Sequence, residues 1–146
     1  RFDYLLDAID SSTKKCHMIA LCCELGIPIL TTGAAGGRRN PAAVKVADLS
    51  LSTHDRLLRE TRTKLRVRHG FARGDEPLQV DCVFSTEPQD YAGRDGEACA
   101  ESEPEKGSRL SCNNGYGTAS FVTGAFGFAA AGHIVQKLAA GTQPVK

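Results

Sequence analysis

Asp10, closing the run Phe2-Asp3-Tyr4-Leu5-Leu6-Asp7-Ala8-Ile9-Asp10-Ser11, is the residue best placed to do chemistry in this sequence. The run reads as a buried strand in which Phe2, Tyr4, Leu5, Leu6 and Ile9 supply the apolar positions. A carboxylate delivered to the end of such a strand, at the mouth of a helix, points into the ligand crevice of an open α/β sheet. Asp10 is therefore a candidate magnesium or ribose ligand, and Lys14 or Lys15 a candidate phosphate contact. A second reading needs no ligand, since Asp10 can simply cap its own helix. Ser11, Ser12 and Thr13 offer N-cap hydroxyls, and Lys14 to Leu25 has the length and composition of a helix.

A second chemical pattern is basic. Thr53 to Val67 reads as an amphipathic helix with Thr53 as its N-cap and Leu57, Leu58 and Leu65 on its apolar face. Arg59, Arg62 and Arg66 fall on another face at i, i+3 and i+7, and Arg56, Lys64, Arg68, His69 and Arg73 extend the basic surface. A local cluster of this kind steers phosphate backbones, although solvated helix faces carry the same pattern. The net charge of +1 excludes a globally basic nucleic-acid binder, so any such contact is local.

The third pattern is the set of six cysteines, Cys16, Cys22, Cys23, Cys82, Cys99 and Cys112. None forms a C-x-x-C pair, which leaves a structural zinc site with weak support. With 146 residues and 41% hydrophobic side chains the chain builds one ordinary domain and needs no disulfides. Reduced thiols in an intracellular protein are the expectation. No signal peptide is visible. The chain opens on Arg1, almost inside a strand, which suggests a domain already under way.

The elements that position these groups follow from the pattern. Gly26 is a helix C-cap and Ile27-Pro28-Ile29-Leu30 a short apolar strand. Thr31 to Gly37 is a small-residue loop without G-x-G-x-x-G or G-K-[ST], so it is no nucleotide loop in its own right. Ala42 to Leu49 and Leu78 to Ser85 read as further strands. Thr86 to Ser111 is long, polar and acidic, the kind of segment that is functional or disordered. Gly115 to Gln136 carries no Asp, Glu, Lys or Arg. Its Ala and Gly content and His133 favour a packed helix, at a dimer interface for example, over a membrane span.

Taken together, several segments resemble one family: Asp7-Ala8-Ile9-Asp10-Ser11 with Lys15, Ile27-Pro28 through Gly37, Asp48-Leu49-Ser50, Val83-Phe84-Ser85-Thr86-Glu87, and Cys112 to Gly117 leading into Phe126-Gly127-Phe128. The resemblance is to the tRNA threonylcarbamoyladenosine dehydratases, a branch of the adenylating superfamily that includes ubiquitin-activating, molybdopterin- and thiamine-biosynthesis enzymes. It covers roughly Phe2 to Leu138. It implies the C-terminal part of a doubly wound, Rossmann-like α/β adenylating domain with a long crossover loop and a C-terminal apolar helix. Residues 1–146 would form a single partial domain, with 87–111 as its flexible crossover loop.

The resemblance also implies a homodimer that uses ATP and magnesium to activate the carboxylate of threonylcarbamoyladenosine beside the tRNA anticodon, and then closes it with loss of water. Asp10 matches the aspartate that holds magnesium and orients the triphosphate, Ser11 lies beside the nucleotide, and Lys15 falls where relatives carry a basic residue. Arg56, Arg59, Arg62, Lys64, Arg66 and Arg68 become the expected tRNA contact. Cys99 and Cys112 lie in the region where thiol-using relatives place a nucleophile, and a thiol near Arg109 would ionise more easily. Direct cyclisation needs no thioester, because the substrate carries its own nitrogen nucleophile. The glycine-rich nucleotide loop belongs to an N-terminal half absent from this sequence, so the chain alone is expected to be inactive. The alternative function is adenylation of the C-terminus of a ubiquitin-like or sulfur-carrier protein, and a third is a non-catalytic binding module. A sulfur-transfer partner is expected by analogy alone. The expected location is cytoplasmic, with mitochondrial or membrane association left open.

Overall fold

A computed structural model of the chain describes residues 2–74, 76–92, 98–99 and 117–141. Four short strands form one sheet: β1 (Leu5–Asp7), β2 (Ile29–Thr32), β3 (Val44–Asp48) and β4 (Asp81–Ser85), in the order β1-β2-β4-β3. β1, β2 and β4 run parallel, and β3 pairs antiparallel to β4 from Val44↔Ser85 to Asp48↔Asp81. A second, two-stranded pair joins β5 (Tyr91–Ala92) to β6 (Ala98–Cys99).

Period-two alternation splits the core in two. Ile29, Cys82 and Phe84 face α1 (Ser12–Glu24) and α2 (Arg56–Arg68), where they meet Cys16, Ile19, Cys22, Leu58 and Leu65. Leu30 and Val83 face the other way and meet Val122, Phe126 and Ala130 of α3 (Ser120–Ala139). Helices therefore cover both faces of a mostly parallel sheet.

Local chemistry sets the helix ends. Gly26, at φ 64°, sits where α1 stops. Its N–H donates to the Cys23 carbonyl (3.2 Å) and that of Ile27 to the Cys22 carbonyl (2.8 Å), the paired bonds of a Schellman end. Ser11 occupies the N-cap position of α1, but its side chain makes no capping bond. The N-cap of α2 is Asp55, whose carboxylate accepts from Leu58 N–H at 2.9 Å, and not the expected Thr53. Aspartate competes well at that position, and only the tertiary fold turns it inward.

Two expectations need correcting. The opening strand is three residues long and ends at Asp7, with Phe2 69% and Leu6 47% exposed. Asp10 therefore lies in the loop beyond the strand, and Asp7 is the strand-end carboxylate. The uncharged C-terminal run does form a helix, but only one stripe of it is buried, and Phe121, Phe128, Val135 and Leu138 are exposed. Among the described residues no helix is long and apolar enough to cross a membrane.

Candidate functional site at the carboxyl ends of the parallel strands

Asp7 is the floor of the site. It is 1% exposed, and its Oδ2 accepts from the Lys15 ammonium at 3.0 Å and the Thr31 hydroxyl at 2.8 Å. Lys15, wholly buried on the first turns of α1, also donates to Thr31 Oγ1 (3.0 Å) and to the Asp7 carbonyl (3.4 Å). These contacts occupy the three donors of its ammonium. Lys15 is thus turned into the protein, where it holds β1, β2 and α1 together, and not outward to a phosphate. The other Asp7 oxygen accepts from Ile9 N–H at 3.0 Å, an Asx turn that folds the chain back immediately after the strand. That turn sets the course of Ala8 to Ser11 and leaves Asp10 exposed at the mouth, beside the half-buried Ser11.

The second wall is built on Arg38, which is 2% exposed. Its guanidinium donates to the carbonyls of Ala34 (2.9 Å), Ser85 (3.1 Å), Glu87 and His54 (2.9 Å), and lies 3.4 Å from Asp55 Oδ2. One planar fork thereby joins the loop after β2, the chain leaving β4 and the approach to α2. His54 takes φ 51° to present its carbonyl, a conformation uncommon for a residue other than glycine. Asp55 Oδ2 also accepts from Ala34 N–H at 2.8 Å. Gly33 makes room for this: a Cβ there would stand 2.3 Å from Asp55 Oδ2. Glu87 adds a clasp by accepting from the N–H groups of Arg39 (3.0 Å) and Asn40 (2.8 Å).

The predicted site residues fall into three groups. Asp10 and Ser11 sit together at the mouth, one turn from the Asp7–Lys15 floor. The basic residues of α2 divide between its two flanks. Arg62 donates to Ser52 through its carbonyl (2.7 Å) and its hydroxyl, and Arg66 to the carbonyls of Ala72 (3.1 Å) and Gly74 (2.7 Å). Burial and the neighbouring Arg66 charge hold the Arg62 pKa below its ordinary value. Lys64 turns to the opposite flank and donates to Ser12 Oγ (2.6 Å) and Thr13 Oγ1 (3.0 Å) of α1. Arg56 pairs with Glu60 at 3.1 Å, while Arg59 and Arg68 are exposed.

The cysteines divide by where they fall in the chain. Cys99 lies on β6 with its backbone paired to Tyr91, and Cys112, like Arg109, lies outside the described residues. Of segment 87–111, the described parts are 87–92 and 98–99. Cys16, Cys22, Cys23 and Cys82 are free thiols, and burial pushes the pKa of each upward. Such thiols pack as small hydrophobes. Among the described residues no group of three or more His, Cys, Asp or Glu side chains is placed to hold a metal ion.

Sequence reasoning missed Asp7, Arg38 and Asp55. Asp7 carried a readable signal: an aspartate inside an apolar run, four loop residues and one helical turn before a lysine. Arg38 carried none, because its partners lie 4 to 49 residues away in the chain.

The parallel strands, the helices on both faces and the crevice at the strand ends define a doubly wound α/β domain. No protein-family model matches the chain. It is 40% identical over 141 residues to the tRNA threonylcarbamoyladenosine dehydratase of Escherichia coli K12, a match covering 95% of this chain and 53% of that protein. Against the dehydratase of Haemophilus influenzae it is 36% identical over 138 residues, covering 94% and 51%. A solved structure of TcdA (CsdL) superposes with a TM-score of 0.81 at 38% identity, over 94% of this chain and 50% of that one. The E. coli dehydratase in complex with ATP gives a TM-score of 0.74 at 34% identity, over 96% and 49%. By sequence and fold the chain is similar to the tRNA threonylcarbamoyladenosine dehydratases along almost its whole length, and it spans about half the length of these relatives.

Proposed function

We propose that the protein carrying this chain dehydrates threonylcarbamoyladenosine in tRNA at the expense of ATP. The observation that carries this reading is the match to named dehydratases along almost the whole chain, joined to an exposed carboxylate at the crevice mouth. Chemically, a carboxylate oxygen of the substrate attacks the α-phosphorus of ATP and pyrophosphate leaves. A nitrogen of the substrate then attacks the activated acyl carbon, and the original oxygen departs with AMP. The ring closes with net loss of water.

Asp10 fits a magnesium-assisted role. Magnesium prefers hard oxygen ligands and takes one or two carboxylates together with substrate phosphates, and Asp10 offers one exposed carboxylate where a triphosphate would enter. Magnesium, when bound, would neutralise phosphate charge. The chain's own residues position that carboxylate: Lys15 holds Asp7, and Asp7 turns the loop. Ser11 is assigned to the nucleotide side of the same loop. The tRNA is assigned to the basic surface of α2, where Arg62, Lys64 and Arg66 brace the helix against its neighbours and Arg59 and Arg68 stay exposed. Cys99 and Cys112 stay as candidates for a covalent step that direct cyclisation does not require.

A homodimer is supported by the exposed apolar side chains of α3, since a row of this kind marks an association surface. A sulfur-transfer partner and a cytoplasmic location rest on the family resemblance alone.

The decisive experiment gives the natural full-length protein ATP, magnesium and tRNA bearing open threonylcarbamoyladenosine, and weighs the nucleoside released under mild conditions. ATP-dependent loss of one water is the expected result. An unchanged mass, with ATP hydrolysed only when a ubiquitin-like protein is added, would move the assignment to the protein-activating branch. In the same assay Asp10→Ala should abolish turnover while tRNA binding persists. Unchanged turnover would remove Asp10 from the mechanism.

A further inference from the structure

We propose that the RNA backbone is received along the seam between α1 and α2, on Lys14, His17, Arg68 and His69, and not on Arg62 and Arg66, which the helical periodicity picks out. This rests on the tRNA reading above and names the surface that would serve it.

The structure separates the two flanks by what their donors already do. Arg62 and Arg66 are committed to backbone carbonyls of neighbouring loops, so they pin α2 to the segments on either side of it. On the other flank α1 and α2 lie side by side and run the same way. Ser12 meets Glu60 and Lys64, Cys16 meets Thr61, and the His17 ring stands edge-on to His69 with centroids 5.6 Å apart. Burial raises the Cys16 thiol pKa, and the charges of Lys64 and Arg68 are the next influences on it, which puts both cations at this seam. Lys14, His17 and Arg68 are exposed. Glu60, the acid at the head of the seam, is matched by Arg56 at 3.1 Å.

Lys14 is informative for a separate reason. The first turn of α1 holds no acidic residue, and an exposed lysine in the first turn faces the positive end of the helix dipole. Helix stability does not account for a cation there, whereas an approaching phosphate does. The seam also leads somewhere. Ser12 follows Ser11 directly, so a strand of nucleic acid laid along the seam ends at Asp10 and Ser11. Ser12 and His17 are about 8 Å apart along the helix axis, enough to span neighbouring phosphates. Lys64 holds the two helices in this relation through the Ser12 and Thr13 hydroxyls.

The test is tRNA binding by the full-length protein across a salt series, using tRNA that carries open threonylcarbamoyladenosine. Lys14→Gln/Arg68→Gln removes two exposed seam charges, and Lys45→Gln/Lys137→Gln removes two exposed charges on β3 and on α3, which covers the other face of the sheet. The seam pair should weaken binding roughly tenfold at physiological salt and reduce the log–log salt slope by about two, because each phosphate contact contributes about 0.9. The distant pair should stay within about twofold. Lys14→Gln alone, at a fully surface position, repeats the test with no demand on folding and should lower the slope by about one. Equal losses in the two pairs, or no loss at the seam while the unsubstituted protein binds and dehydrates tRNA, would overturn the seam and leave the function standing. Failure of the unsubstituted protein to bind tRNA would remove both.

Discussion

The two ends of the sheet use charge in opposite ways. At the carboxyl ends of β1, β2 and β4, Asp7 with Lys15 and Arg38 with Asp55 are ion pairs whose side chains are wholly shielded from solvent. At the other end, Asp81 opens β4 and its Oδ2 gathers Tyr4 Oη (3.1 Å), His133 Nε2 (2.7 Å) and Lys137 Nζ (3.5 Å), with the carboxylate 32% exposed. Burial, then the Asp81 charge, pushes the Tyr4 hydroxyl pKa up. The crevice end is tied together because each buried ion pair joins different segments of the chain. The far end is a half-wet tie between α3 and the sheet, where water screens each contribution.

The contrast is broken most directly at Asp7. Asp7→Ala leaves Lys15 buried without a counter-charge and should cost about 3–5 kcal/mol. Adding Lys15→Met, which removes both charges, should recover much of that loss, because a buried pair replaced by apolar side chains is often near neutral. Urea denaturation of the two variants decides this. Equal stability of the single variant and the parent would mean the pair is not buried in solution.

A smaller effect is expected one step along the same wall. Gly33→Ala drives a methyl group into Asp55 Oδ2 and to 2.9 Å from Leu58 Cδ1, so it should cost about 1–3 kcal/mol. Thermal unfolding would show it, and a neutral result would mean that Asp55 moves aside freely.

Acid sharpens the comparison at the far end, where Asp48 closes β3. Burial raises its pKa, but hydrogen bonds from the Ser50 hydroxyl and from the N–H groups of Leu78, Ser50 and Gln79 outweigh that and leave it below the usual value. Because folding lowers this pKa, the stabilisation is complete above the ordinary aspartate range, near about 3.9. It disappears as pH falls through the lower folded value. Unfolding temperature should therefore drop more gently between pH 4 and 2 in Asp48→Asn than in the parent. Identical acid profiles would show that the carboxylate is not stabilised by folding. The smallest effect belongs to His133→Gln, expected to change stability by less than about 1 kcal/mol since the pair is part-exposed. A loss comparable to that of Asp7→Ala would erase the distinction between the two ends.

Local pattern made much of this molecule legible. The α1–Gly26–β2 passage, the amphipathic α2 and the β4 run are all readable because periodicity and capping act over a few residues. The motif Asp-Ala-Ile-Asp-Ser with Val-Phe-Ser-Thr-Glu pointed to the dehydratases that the chain is similar to along its length, although no spacing rule by itself distinguishes Asp7 from Asp10. The opening strand was overread: five apolar residues suggested a long strand, but the Asx turn at Asp7 stops it after three residues. The helix cap slipped from Thr53 to Asp55 because Asp55 also binds Ala34 N–H and Arg38 in the space Gly33 leaves open, an alignment that sequence distance conceals.

The sequence by itself determined the class of the domain, the position of its helices, the presence of a basic face on α2 and the exposed aspartate motif, all of which depend on neighbours in the chain. Tertiary structure alone decided which charges became scaffold and which stayed at the surface. Lys15 and Arg38 look on paper like any other cations. Only the packing of β2, β4 and the approach to α2 around them removes water, and burial without water is what turns a charge into a fixed partner.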